Sequence, residues 1–355
     1  MLSSGFFVFK GVKMTKVVIT KNILLELLTK YGSNRRVSKV INVDEKTIRN
    51  LREEYGILSG EYVDKQIISI LRAHLGKGEP IKVKRMLNSL GEALISHLSD
   101  WHLGAKVVDA KNNVIYNYDI AKLRAELLCG RCIDLFQNHI SRGTEITQIN
   151  LIITGDMVDG NLVYPGQAYR TEFSPPRQVI LAANILRNYI LSLMEFKLPI
   201  FIDAVPGNHG IPKVKEWDPT ANWDLMLYMI IEDWIKQSKI KNVFLNYVEG
   251  DYLITDIMGW KYLLRHKGPS QSETSSGAAK TGGWQKIHSC DAMAYGHFHH
   301  AGLTEWNGVR LFMSPSLKGQ DEFAESIAKG SSPAQCIWGV TQKHVKTFYY
   351  EVDLK

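Results

Sequence analysis

From residue 93 onward the chain alternates short apolar runs with longer amphipathic ones. Residues 93–98, 149–153, 198–205, 260–264 and 291–295 are aliphatic runs of strand length, which predicts buried strands. Between several of them, residues 117–140, 177–195 and 222–236 carry apolar positions at helical spacing, which predicts helices lying on a sheet. Residues 252–255, 309–313 and 345–350 predict further strands. Such a β/α alternation is the pattern of an α/β domain. Residues 160–176 are irregular and rich in Gly, Pro and aromatics, which suits a substrate-facing loop. The Ser/Gly-rich residues 269–283 predict a mobile loop.

The first 75 residues follow another rhythm. Ile23, Leu24, Leu27 and Leu28 recur at helical spacing. A short helical stretch at 37–41, the turn Asn42-Val43-Asp44 and a second helical stretch from Glu45 to Arg52 come next. Val37, Val40 and Ile41 are expected to face inward, Val43 to plug the turn, and Ile48 and Leu51 to close the core, with Asp44 as N-cap. The layout resembles a helix-turn-helix, which would put Lys46, Thr47, Arg49, Asn50 and Arg52 on or near a DNA-facing surface. Residues 61–75 predict one more helix, and Gly76-Lys77-Gly78-Glu79-Pro80 breaks the pattern. The expected division is a small all-α domain at 1–75, a linker and entry at 76–92, and a larger domain at 93–355.

Charge follows the same division. Of the formal +7, residues 1–80 hold 14 basic and 8 acidic side chains, so +6 sits there, and the remainder holds 29 basic and 28 acidic ones. The basic excess therefore points to a polyanion met by the N-terminal part. No apolar stretch is long enough to span a bilayer. The run at 5–9 has neither a basic segment before it nor a small-residue cleavage site after it, so a signal peptide is not expected. Four cysteines are too few for a disulfide scaffold, and the lone Cys129-x-x-Cys132 pair has no second pair to complete a zinc site. These readings predict a cytoplasmic protein without membrane contact.

The chemistry lies where the predicted strands end. They present Asp100 and His102, then Asp156 and Asp159, then Asn208 and His209, then His266, then His297 and His299. Each alone is weak, but five of the 11 histidines fall at strand ends beside glycine or a carboxylate. Open α/β sheets bind ligands at that carboxyl edge. Clusters of carboxylate, amide and imidazole donors suit divalent metals. Asp156, after the buried run 149–153, is the candidate to bridge two of them.

The order Asp-x-His, Gly-Asp-x-x-Asp, Gly-Asn-His, His, Gly-x-His resembles the calcineurin-like metallophosphoesterase family, from about residue 93 onward. The resemblance implies a four-layer α+β fold, a β-sandwich flanked by helices, here preceded by the small helix-turn-helix-like domain. It implies one metal held by Asp100, His102, Asp156 and His299, and a second held by Asp156, Asn208, His266 and His297. Mn²⁺ is the first choice, with Fe, Zn or Mg as alternatives. A water bridging the metals would attack phosphorus in line. His209 would donate to the phosphate or the leaving oxygen, and Asp159 would support the metal shell through hydrogen bonds.

Within the family, Leu98-Ser99-Asp100-Trp101-His102-Leu103-Gly104 looks like the opening motif of SbcD-type DNA repair exonucleases. Three features depart from those nucleases: Gly210 stands where an acid often follows Gly-Asn-His to orient the histidine, Gly160 follows Asp159, and the N-terminal domain is extra. The expectation is a DNA nuclease, with a phosphomonoesterase or small-nucleotide phosphodiesterase as the alternative. The full set of candidate ligands argues against a non-catalytic DNA-binding protein. The SbcD resemblance also implies an ATPase partner subunit, with a homodimer as the other assembly.

Overall fold

The computed structural model describes residues 5–10, 13–57, 91–140, 145–211, 220–269, 275–320 and 330–355. The chain divides into two compact units, Met1–Arg85 and Met86–Lys355. The expected helix at 61–75 and the break at 76–80 lie outside the described residues.

The first unit is not all-helical. It opens with an antiparallel hairpin of β1 (Gly5–Lys10) and β2 (Lys13–Val18). Phe6-Phe7-Val8-Phe9 and Thr15-Lys16-Val17-Val18 are aromatic and β-branched runs around Gly11, a composition that favours paired strands. Three helices follow: α1 (Lys21–Tyr31), α2 (Asn34–Ile41) and α3 (Glu45–Glu54). Thr20, Ser33 and Asp44 cap them by accepting from backbone N–H groups in the first turn. Asn42 ends α2 in the left-handed region at φ 54°, a conformation asparagine tolerates. Leu24, Leu28, Val37, Ile48 and Leu51 form the core, with Ile41 and Val43 packed beside it. Val40, expected inside, is 51% exposed, because the face of α2 that meets α3 runs through Val37 and Ile41.

The second unit holds two stacked sheets. The six-stranded sheet has the order β15-β14-β3-β6-β7-β8, made of β3 (Glu92–Leu98), β6 (Ile146–Ile153), β7 (Ile200–Ala204), β8 (Val243–Tyr247), β14 (Ala334–Val340) and β15 (Tyr349–Asp353). Strands β3, β6, β7 and β8 are parallel, while β14 runs antiparallel between β3 and β15. The five-stranded sheet has the order β12-β13-β11-β10-β9, made of β9 (Tyr252–Ile257), β10 (Trp260–Lys267), β11 (Ala292–Gly296), β12 (Gly302–Trp306) and β13 (Val309–Met313). A short pair, β4 (Val107–Val108) and β5 (Val114–Tyr116), stands apart.

Side-chain alternation along β3 explains the layering. Leu94 and Leu98 point into a core shared with α4 (Tyr118–Ile140), α5 (Pro175–Met194) and α6 (Trp223–Gln237). Ala93 and Ile95 point the other way, into the core between the sheets, against Tyr262, Phe312 and Trp338. The outer face of the second sheet packs Leu263, Met293 and Leu311 against Trp284. Trp284 belongs to α7 (Ser275–His288), so part of the expected mobile loop is a helix. Its docking by Trp284 outweighs the weak propensity of its Gly and Ser residues. Strand β14 was not legible as a strand because Gln335 and Gly339 interrupt its apolar run, and burial throughout leaves no alternation to read instead. The helix–sheet–sheet–helix unit is the four-layer α+β arrangement expected from the sequence.

Candidate metal centre

Five strands, the parallel set β3, β6 and β7 of one sheet and the parallel pair β10 and β11 of the other, bring the candidate side chains together at their carboxyl ends. The turns are tightly bent. Asp100 (φ 52°), His102 (45°), Asp156 (51°), His297 (70°) and His299 (61°) all occupy the left-handed region. Each such residue costs about 1–3 kcal/mol and persists only where its surroundings hold it. Here the β3 and β6 turns hold each other. Asp100 N–H donates to the Gly155 carbonyl at 3.0 Å, His102 N–H to Asp156 O at 2.9 Å, and Asp159 N–H to Leu103 O at 3.0 Å. His266 reaches the site by another device. It lies where the β10–β11 register shifts between Leu264 and Lys267, an irregularity that re-aims a side chain.

The donor atoms form two adjoining groups. In one, His102 Nε2 and His299 Nε2 are 3.1 Å apart, and Asp100 Oδ1 is 3.3 Å from His299 Nε2 and 3.8 Å from His102 Nε2. In the other, His266 Nε2 lies 3.1 Å from Asp156 Oδ2, 3.0 Å from Asn208 Oδ1 and 3.1 Å from His297 Nδ1. Asp156 also clusters with His102 and His209, so it stands between the groups.

The chemistry of this donor set fits divalent cations. Two facing imidazole nitrogens share either a proton or a cation between them, and His102 Nε2 and His299 Nε2 stand in that relation. His102 Nδ1 is occupied by Asp159 Oδ1 at 3.1 Å, and His266 Nδ1 by the Thr154 carbonyl at 2.6 Å, which leaves both Nε2 atoms aimed inward. Donors bound at right angles to one ion through bonds of about 2.1 Å would lie ~3.0 Å apart, close to these spacings.

Electrostatics points the same way. Burial opposes ionisation of Asp156, yet His266 and His209 hold its carboxyl well below the usual range. Burial would also lower His266, but the Asp156 and Asp100 carboxylates hold it up at about 9. His102 is pushed down to about 4 by burial, then by the Lys318 ammonium and His209. Burial and then His266 push His297 down to about 4.

His209 sits at the mouth, its side chain 17% exposed. Its Nδ1 lies 3.0 Å from the Asp159 carbonyl and 3.3 Å from Asp159 Oδ1, and its ring stands edge-on to His102. Asp159 therefore orients both His102 and His209, which supplies the orientation that the missing acid at 210 left unexplained. Trp101 and Leu103, the residues that suggested a nuclease motif, are fully buried in the helix-side core.

Several supporting residues escaped the sequence reading. Buried Gln167 donates to the Asp159 carbonyl and carboxylate at 2.7 and 3.0 Å. Buried Gln178 clasps Gly160 through both its N–H and its carbonyl. Gln335 accepts from Ser99 N–H and donates back to Ser99 O, and Ser316 Oγ donates to Asp100 O. Asp224 accepts from backbone N–H groups of two site turns. Glutamine inside a predicted helix or loop carries no sequence signal for such a task.

Two turns approach so closely that only glycine fits. A Cβ at Gly207 would overlap the Asp156 amide nitrogen and carboxylate. Gly207→Ala is therefore expected to displace the Asp156 side chain and weaken divalent-metal binding at least tenfold, against about 1–3 kcal/mol of stability for an overpacked site. Titration calorimetry with Mn²⁺ checks this, and wild-type affinity in the variant would count against the contact.

The model of the family described as calcineurin-like phosphoesterase matches residues 93–301, more than half of the chain. The chain belongs to this family. The matched span holds every candidate metal ligand, from Asp100 to His299. No curated protein matches this chain. Solved structures similar to it include an archaeal phosphodiesterase, 16% identical over 73% of this chain and 99% of that one, with a TM-score of 0.34. Vacuolar protein sorting 29 of Cryptosporidium parvum is 13% identical over 74% and 99%, with a TM-score of 0.33. Its counterpart from Entamoeba histolytica, complexed with Zn²⁺, is 12% identical over 74% and 99%, with a TM-score of 0.30. The family assignment rests on the sequence match. Among the described residues no helix is long and apolar enough to cross a membrane.

Proposed function

We propose that this phosphoesterase hydrolyses DNA phosphodiester bonds with two divalent metal ions, Mn²⁺ as first choice and Fe, Zn or Mg as alternatives for a mixed set of carboxylate, amide and imidazole donors. Asp100, His102, Asp156 and His299 would hold one ion, and Asp156, Asn208, His266 and His297 the other. When bound, the pair supplies nucleophile activation and neutralises charge at phosphorus. The remaining work falls to the chain. His209, oriented by Asp159, donates to the phosphate or to the leaving oxygen. Asn208 is neutral, which leaves the site more attractive to an anion than a third carboxylate would.

The observation that carries DNA as substrate is the joining of this site to a basic unit. Lys46, Arg49 and Asn50 are exposed on α3, available to phosphate and base edges. Thr47 and Arg52 are engaged within the unit, Thr47 with Asp44 and Arg52 with Asn34, so the proposed contact rests on the other three. Supporting it from the catalytic side, Leu162, Tyr164 and Tyr169 are exposed on the loop that Gln167 ties to Asp159, Tyr169 at 96%. Exposed tyrosines suit stacking against bases.

The test is cleavage of end-labelled linear DNA by the metal-free full chain with and without Mn²⁺, beside bis(p-nitrophenyl) phosphate. Mn²⁺-dependent DNA cleavage is expected. The double variant Lys46→Ala/Arg49→Ala should bind DNA more weakly and lower the salt slope of binding by about two, with hydrolysis of the small diester unchanged. Hydrolysis of the small diester without DNA cleavage would replace this reading with that of a small-substrate phosphoesterase.

A further inference from the structure

The chain lacks an acid after Gly-Asn-His, and the structure shows why position 210 is glycine. A Cβ there would overlap Asn222 Oδ1, the N-cap of α6, and Trp223 N–H donates to the Gly210 carbonyl at 3.1 Å. The first turn of α6 thus occupies the space beside the Asn208–His209 turn. That turn is clamped along its length: Tyr228 Oη donates to Val205 O at 3.0 Å, and Asn222 Nδ2 to Gly207 O at 2.8 Å.

Asp224, fully buried in the same helical turn, adds a carboxylate to this clamp. Its Oδ2 accepts from Gly207 N–H at 2.8 Å and from Asp156 N–H at 2.9 Å. Its Oδ1 accepts from Met157 N–H at 3.1 Å and Val158 N–H at 3.3 Å. One side chain therefore ties the β6 turn to the β7 turn through four backbone donors. Such a run of N–H groups is a natural anion seat, here filled by the protein's own carboxylate.

We infer that Asp224 is a positioning residue of the dinuclear site, which fixes Asp156 and Asn208 relative to each other from the start of α6. The inference rests on reading those two residues as metal ligands and does not depend on DNA as substrate. It reaches across 14 positions of sequence from the place where an acid was expected. Both carboxylate oxygens are needed, because each serves a different pair of donors. An isosteric amide keeps one oxygen and turns an NH₂ group against two N–H groups.

The test is Asp224→Asn in the full chain, with Asn222→Ala as a control that removes the helix cap and its Gly207 contact but keeps the carboxylate. Mn²⁺ affinity is read by titration calorimetry, and kcat and KM on bis(p-nitrophenyl) phosphate. Asp224→Asn is expected to weaken Mn²⁺ binding about 10–100-fold, as for lost outer-shell partners, and to lower kcat more than it raises KM. Asn222→Ala, which frees Asp224 N–H and the Gly207 carbonyl but leaves the four N–H groups on the Asp224 carboxylate paired, should lose thermal stability and keep far more of its Mn²⁺ affinity than Asp224→Asn. Asp224→Glu, which keeps the charge but moves its oxygens, should show a smaller version of the same split and covers the case in which the amide variant does not fold. Wild-type affinity and kcat in a folded Asp224 variant would overturn the inference, as would an equal loss in Asn222→Ala. A wild-type chain that binds no divalent cation would overturn it together with the metal reading. DNA cleavage enters neither readout, so the nuclease reading fails or stands separately.

Discussion

Asp156→Asn is expected to abolish the metal pair, with activity falling by about 10³-fold or more, the several kcal/mol that a bound metal contributes at a transition state. Among the described residues, Asp156 is the one side chain that clusters both with His102 and His209 and with His266 and His297. Its Oδ2 meets His266 at 3.1 Å, while its Oδ1 accepts from His209 N–H at 2.7 Å. An amide supplies one oxygen, no charge, and N–H groups aimed where a cation would sit. The measurement is the thermal shift on adding Mn²⁺. An ion at 100 times its Kd stabilises the folded state by ~2.7 kcal/mol, and most of that shift should vanish in the variant. Two ions bound with activity intact would move the bridging role elsewhere.

His209→Ala should behave oppositely: metal retained, turnover lost. Its backbone N–H to Asp156 survives the substitution. Asp159 stays satisfied as well, because His102 Nδ1 and Gln167 Nε2 still reach its carboxylate. The metal-facing geometry is therefore kept, and only the ring at the mouth is removed. A positioned acid contributes about 10²–10⁴-fold, so kcat should fall by that range while Mn²⁺ affinity changes less than about threefold. Single-turnover kinetics beside calorimetry separates the two effects. Unchanged turnover would mean that the leaving oxygen takes its proton from another group.

The contrast between these variants reflects how the site is built. Asp156 acts through its own oxygens, whereas His209 is held by the Asp159 carbonyl and carboxylate. The turns around them carry left-handed backbone at five non-glycine positions, and hydrogen bonds between the β3 and β6 turns hold Asp100, His102 and Asp156 among them. Strain of that kind is tolerated where many partners fix one geometry.

Much of this was legible along the chain, because a strand that ends in a ligand keeps its signature in a few consecutive residues. The runs before Asp100, Asp156, Asn208 and His297 mark both the strands and the edge where they end, and the order of ligand types marks the family. The α2–turn–α3 layout was legible for the same reason, with Asn42 and Asp44 doing locally what their types suggest. The hairpin before α1 was not, because a pairing is made by the partner strand and not by either run alone, and the helix α7 was not, because docking by Trp284 overrides its loop composition. Gln167, Gln178, Gln335 and Asp224 were beyond reach as well. Each lies in a segment whose sequence carries no mark of such a task, and its role is set by a backbone group 8 to 236 residues away. The sequence by itself determined which side chains end the strands and what chemistry they offer. Only the tertiary structure decided that Gly210 makes room for Asn222 and that Asp224 joins two turns, because a buried acceptor is defined by the N–H groups folding brings to it, and those have no pattern along the chain.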